Sequence, residues 1–279
     1  MKTIISASRR TDIPAFYLPW LLKVLREGRL EVCNPFYPKN IRRVDLTPEK
    51  VAWFVFWSRN YQHFIKLRHE FDEFETFFHF TILPKSKLEK NGLSPDKALH
   101  QLEQLSAFYG PERIIWRYDP IAHWREGVNM LSNHNPAAFD DLCRRVSQTG
   151  VKTCYTSFAN PYKKFISRFK EKFPTDRIIS ADRERRTHVI SVMAETAAQY
   201  GIRIHSCCDD QLLNLNEIQK GRCIDGNLLN KLSGNQKVSS AKMPTRTDCG
   251  CTKSIDIGDY LAQPCHFGCI YCYANPIWK

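Results

Sequence analysis

Short apolar runs alternate with amphipathic stretches along most of the chain. Thr3-Ile-Ile-Ser-Ala7 is β-prone, passes into the polar Ser8-Arg9-Arg10-Thr11-Asp12-Ile13-Pro14, and is followed by a helical pattern with Tyr17, Trp20, Leu21, Val24 and Leu25 on one face. The same unit then recurs. Val51-Ala-Trp-Phe-Val-Phe-Trp57 is continuously apolar, as a strand buried on both faces must be, and ends in Ser58-Arg59-Asn60 before a helix expected from about Tyr61 to Glu70. Residues 76–82, 113–117, 151–156 and 202–206 predict four more strands. Between them lie helices carrying Leu99, Leu102, Leu105 and Phe108 on one face, then Phe139, Leu142, Cys143 and Val146 behind an Asn135 cap and Pro136. A basic stretch with Lys163, Lys164, Arg168, Lys170 and Lys172 reads as a helix with a solvated face, and residues 186–200 as another helix. Residues 31–35 predict a small edge strand or extended loop, stopped by Pro35 and Pro38. After Cys207 the periodicity is lost.

Strands and helices alternating about six times predict an α/β fold, a partial (β/α) barrel of about six parallel strands. Residues 1–206 form the expected barrel, and residues 207–279 an irregular cysteine-rich tail packed on its mouth within the same structural domain. In such folds function collects where the strands end at their carboxyl side. The unusual polar clusters fall there: Arg10 and Asp12, Arg59, Arg117 and Asp119, Ser157, and Cys207. Guanidinium groups bind carboxylates and phosphates as bidentate forks, so these arginines are candidates for holding an anionic substrate. An Arg-Asp pair that merely fixes the loop is the competing use.

The tail holds most of the chemistry. Cys265-His-Phe-Gly-Cys269-Ile-Tyr271-Cys272-Tyr273-Ala-Asn275 places three thiols on one tight loop, with Gly268 free to turn the backbone. Three thiolates can grip three irons of a four-iron cluster and leave the fourth iron open, whereas a structural zinc wants a fourth protein ligand. Cys207, Cys208, Cys223, Cys249 and Cys251 lie in the same tail. Cys249, Cys251, Cys223 and either Cys207 or Cys208 make a four-sulfur set for a second iron-sulfur cluster or a zinc, with Cys207, at the strand exit, chosen as the fourth ligand. Cys33, Cys143 and Cys154 sit in or beside regular elements and read as packing residues.

The terminal loop resembles the cluster loop of the radical S-adenosylmethionine superfamily, in the variant of spore photoproduct lyase and its relatives. That resemblance implies a [4Fe-4S] cluster on Cys265, Cys269 and Cys272, S-adenosylmethionine chelated at the open iron, and Tyr271 as the aromatic beside the adenine. It also implies cleavage to methionine and a 5′-deoxyadenosyl radical, with a reductant such as a ferredoxin or flavodoxin as partner. The position departs from the superfamily, which places this loop after the first barrel strand. A Gly-Gly-Glu-like motif for the methionine amine is missing. Over its full length the chain resembles the family called domain of unknown function 1848, through Ser8-Arg-Arg-Thr-Asp-Ile-Pro14, Trp116-Arg-Tyr-Asp-Pro120 and the terminal cysteines.

Charge and size complete the picture. The 279 residues are 43% hydrophobic, enough to bury a large core. Lys plus Arg at 41 against Asp plus Glu at 29 leave a formal charge of +12, which favours nucleic acid or another anionic partner. No apolar run suffices to span a bilayer and no signal-peptide core follows Met1, so no membrane association and a cytoplasmic setting are expected. There, eleven cysteines point to metal rather than disulfides. Two functions compete: a radical-SAM-like enzyme, and a non-catalytic iron-sulfur or zinc module that binds nucleic acid.

Overall fold

The computed structural model describes every residue except 1, 36, 38, 214, 216, 217, 235 and 236; Pro38 thus lies outside the described residues. The strands are β1 (Thr3–Ala7), β2 (Arg29–Cys33), β3 (Ile41–Asp45), β4 (Val51–Ser58), β5 (Thr76–Thr81), β6 (Ile114–Ile121) and β7 (His123–Glu126). They continue with β8 (Asn129–Ser132), β9 (Thr153–Phe158), β10 (Arg177–Ile179), β11 (Arg203–Ser206), β12 (Gln219–Lys220) and β13 (Ile255–Asp256). The α-helices are α1 (Leu18–Glu27), α2 (Gln62–Lys66), α3 (Pro95–Tyr109), α4 (Pro136–Gln148), α5 (Lys163–Lys172), α6 (Arg183–Gln199) and α7 (Gly226–Ser233).

Eight strands form one sheet in the order β12-β11-β9-β6-β5-β4-β1-β13, and every ladder in it is parallel. Parallel neighbours need a crossover, and helices supply most of them: α2 leads from β4 to β5, α3 from β5 to β6, and α4 from β6 towards β9. Among the described residues no ladder joins β12 to β13, so the sheet is not closed by hydrogen bonds. Residues 29–45 form a separate antiparallel hairpin, not an edge strand of the main sheet, and β10-β7-β8 form a third small sheet.

Strand β4 explains the two-sided burial. Phe54 and Phe56 pack with Phe78, Phe80, Trp116 and the helix side chains Leu21, Leu102, Leu142 and Met193. Trp53 and Val55 face the other way, with Phe77, Ile115 and Tyr155, onto Ile224, Leu229 and Val238 of the tail. Fully burying one such side chain contributes about 1.5–3 kcal/mol, so the tail is held by a real apolar face. The tail is also less irregular than its sequence suggests. It adds β12 and β13, each two residues long, and α7, capped by Asp225. Elements this short have no room to show a period.

Because the eight strands run the same way, their carboxyl ends share one edge. Residues 8–12, 59, 117–119, 157, 207, 223 and 258 collect there after or near the ends of β1, β4, β6, β9, β11, β12 and β13. No helix among the described residues is long and apolar enough to cross a membrane.

Candidate functional site

The edge is braced by two buried carboxylates. Asp256, on β13, accepts from Ser6 Oγ and Ser8 Oγ at 2.6 Å each, from Arg9 N at 2.8 Å and from Gly258 N at 3.1 Å. Arg9 and Arg10 also pair with it, at 3.4 and 3.8 Å, and Arg10 Nη1 donates to Gly258 O at 2.9 Å. Gly258 is needed there, since a Cβ would stand 2.1 Å from Ser8 Oγ. Asp12 accepts from Ala15 N at 3.0 Å, Ser58 Oγ at 2.7 Å and Arg59 N at 2.9 Å, tying the exit of β1 to that of β4. Burial pushes its carboxyl up to about 7 against these donors. Arg10 and Asp12, candidates for substrate binding, thus spend their polar atoms largely on holding the loop.

The terminal cysteine loop is fastened from several sides. Ile270 N donates to Leu88 O at 3.0 Å, Asn91 N to Phe267 O at 3.1 Å and Ile277 N to Cys265 O at 2.7 Å. Tyr17 Oη donates to Pro264 O at 2.6 Å. Arg168, on the basic helix α5, does not join a solvated face: it is buried and donates to the carbonyls of Ile270, Cys272 and Ala274 at 3.4, 2.6 and 3.2 Å. Gly268 turns at φ +68°, where a side chain would be strained and would meet Lys90 Cβ at 2.8 Å. So held, Cys265, Cys269 and Cys272 share one apolar pocket with Ala15, Phe16, Phe267 and Tyr271.

Arg59 reaches into that pocket from the end of β4. Its Nη1 donates to Tyr271 Oη at 2.7 Å and lies 3.4 Å from Cys269 Sγ, while Nη2 pairs with Glu89 at 2.6 Å. Tyr271 in turn donates to Glu89. Burial pushes the Cys269 thiol up to about 12 even though Arg59 favours its thiolate, and burial also raises Cys265 and Cys272. Thiolates here therefore need more cation than Arg59 alone supplies. A cavity of about 360 Å³ opens beside Glu89, lined also by Lys85, Ser86, Lys87 and Lys90.

A second group of thiols gathers where β11 and β12 end. Cys207 Sγ lies 3.4 Å from Cys223 Sγ and 4.0 Å from Cys208 Sγ. Cys208 reaches Cys249, Cys249 reaches Cys251, and Cys251 reaches Cys223, so the five sulfurs form a ring. Arg117 Nη1 lies 3.1 Å from Cys223 Sγ, and its Nε donates to Asp119 at 2.9 Å; Ser157 Oγ touches Asp119 at 3.4 Å. The candidate residues therefore share one edge but divide, Arg59 serving the terminal loop and Arg117 with Asp119 the second group. Among the described residues, no three His, Cys, Asp or Glu side chains are arranged as they stand to hold a single metal ion. The remaining cysteines split: Cys143 and Cys154 are core residues, but Cys33 is exposed.

Glu89, Arg168, Arg246 and Asp256 were not singled out by sequence, and Cys208 only as the alternative to Cys207. Cys208 and Arg168 had a signal, in the paired cysteines and the basic helix; the two acids stand alone in loops or a two-residue strand.

These features define an α/β protein with a parallel sheet whose carboxyl edge carries two cysteine groups. The family described as domain of unknown function (DUF1848) matches residues 4–274, and the chain belongs to it. No functionally curated protein matches the chain. Among solved structures, a D-hydantoinase is similar at 10% identity and a TM-score of 0.33, over 59% of this chain and 35% of that one. The D-hydantoinase from a Bacillus sp. AR9 has the same identity and TM-score, with 36% of its chain covered. The chain thus spans about a third of the length of these proteins.

Proposed function

We propose that the chain is a radical-SAM-like iron-sulfur enzyme, built on a partial (β/α) barrel, with its cluster on Cys265, Cys269 and Cys272. The observation that carries this is the shared pocket of the three cysteines, with the Arg59 guanidinium at Cys269. A four-iron cluster asks its thiolates to share a pocket rather than converge on one ion, because each grips a separate iron. When bound, such a cluster would supply the electron that splits S-adenosylmethionine and starts hydrogen abstraction.

The protein's own residues have definable parts. Arg59 stabilises negative sulfur at Cys269 and orients the Tyr271 ring through its hydroxyl. Glu89 fixes Arg59 by a buried ion pair. Arg168 holds the loop by three of its carbonyls. Arg10 and Arg117, the latter fixed by Asp119, add positive potential at the same edge that would favour an anionic substrate, nucleic acid included, while their own polar atoms hold the loop and the second cysteine group. A cytoplasmic setting and a ferredoxin or flavodoxin reductant follow from that chemistry.

The test is anaerobic reconstitution with iron and sulfide, then reduction in the presence of S-adenosylmethionine. Release of 5′-deoxyadenosine by the wild type and not by Cys269→Ala is expected. A well-formed cluster with no deoxyadenosine, with or without candidate substrates, would favour the non-catalytic nucleic-acid-binding module.

A further inference from the structure

We propose that the second cysteine group is a zinc site, closed by four thiolates from Cys207, Cys223, Cys249 and Cys251, that staples the tail to the sheet. It is independent of the terminal cluster. Three stretches of chain converge to form the ring: the end of β11, the turn after β12, and the segment 249–251 on either side of Gly250. Cys207, Cys249 and Cys251 are buried, so these are not surface thiols that met by chance. Gly250 permits the closeness, because a Cβ there would stand 2.9 Å from Arg222 Cγ.

Spacing favours zinc. A tetrahedral zinc with bonds of about 2.3 Å sets its sulfurs about 3.8 Å apart. The 3.4 Å between Cys207 and Cys223 lies near that edge length. Five sulfurs evenly spaced at that edge would stand about 3 Å from their common centre, too far for the same bond. A five-membered ring of thiols at that spacing is wider than the shell of one ion, in keeping with the absence, among the described residues, of a ready single-ion group, and four of the five must draw in to bind.

Charge favours the same site. Zinc with four thiolates carries a net charge of about −2, which burial penalises unless cations lie against it. Two guanidiniums do: Arg117 at Cys223, and Arg246 at Cys208, with Arg246 also donating to Tyr162 Oη at 3.3 Å. His79 Nε2 donates to the Cys223 carbonyl at 2.6 Å and fixes that ligand's backbone. Cys208 is the sulfur left out. It is less buried than Cys207, its backbone sits at φ +57°, and its thiol is taken by Arg246.

The experiment is metal analysis and zinc-edge X-ray absorption on the full chain, purified without added metal. The Cys265→Ala/Cys269→Ala/Cys272→Ala variant, its fold checked by circular dichroism, is expected to keep about one zinc per chain with four sulfur neighbours. Cys223→Ala and Cys207→Ala should lose it, and Cys208→Ala should retain it. No zinc in the triple variant, fewer than four sulfurs around it, or about four irons in its place overturns the proposal. Loss with Cys208→Ala and retention with Cys207→Ala overturns the ligand set. Should the triple variant fail to fold, wild type and Cys223→Ala are compared directly, and equal zinc contents are the adverse result. Failure of the terminal cluster shows separately, as no iron difference between wild type and the triple variant.

Discussion

Arg59→Met and Glu89→Gln, made singly and together, probe the contact that organises the terminal loop. The Arg59 side chain is 13% exposed and that of Glu89 6%, with 2.6 Å between them, so each single change strands a largely buried charge. Breaking a buried pair from one side costs about 3–5 kcal/mol. Arg59 retains some access to water, so about 3 kcal/mol for each variant is the expected scale. The double variant strands neither charge and should cost little more than one single, which sets a coupling of about 2–3 kcal/mol. Urea unfolding of the metal-free, fully reduced protein measures all four corners. At a slope of about 3 kcal/mol per molar, each single variant moves the midpoint down by about 1 M. Costs that add to within about 0.5 kcal/mol would show that Arg59 and Glu89 do not act as a pair. The bracing role given to Arg59 would then fail.

Further outcomes follow from the same structure. Cys269→Ala should abolish deoxyadenosine release while the circular dichroism of the sheet is kept, since the Phe54 and Trp53 faces pack independently of residue 269. Gly258→Ala should destabilise by about 1–3 kcal/mol in thermal unfolding, by overpacking against Ser8 and displacing Asp256; an unchanged midpoint contradicts the brace. Burial holds His134 down to about 4, below an exposed histidine's 6.5, so its neutral form favours the folded state fully above pH 6.5. That contribution, about 2–3 kcal/mol, should be lost as pH falls from 6.5 towards 4, and His134→Gln should flatten the loss. Arg168→Ala should make the terminal loop sensitive to proteolysis, because three carbonyls lose their donor; equal cleavage in wild type and variant argues against it.

What could be read from sequence was what has a period or a spacing. The apolar runs of β4 and β5 announce strands because both faces are buried, and the strand exits followed from them. The terminal cysteines stood out by their spacing, and Cys207, Cys223, Cys249 and Cys251 by number alone. Asp256 was invisible because β13 is two residues long, yet it ties Ser6, Ser8, Arg9 and Arg10 together. Glu89 lies in a loop with no motif, and its meaning comes from Arg59, thirty positions away in the chain, and from Tyr271 in the terminal loop. Arg168 reads as one more cation on a basic helix until the loop's carbonyls are set around it. Cys33, taken for a packing residue, is exposed because it alternates with Leu30 and Val32, which pack on the core, and so shares the outward face of β2 with Arg29 and Glu31. Six strands became eight because β12 and β13 carry no apolar run, and closure of a sheet is a matter of ladders that no single segment records.

The most direct test of the central claim is electron paramagnetic resonance of the reconstituted, reduced protein, recorded before and after addition of S-adenosylmethionine. Three cysteines sharing a pocket leave one iron without a protein ligand, so the account predicts a cluster signal that changes when the cofactor chelates that iron, and its absence in Cys269→Ala. A cluster signal that S-adenosylmethionine leaves unaltered would contradict it.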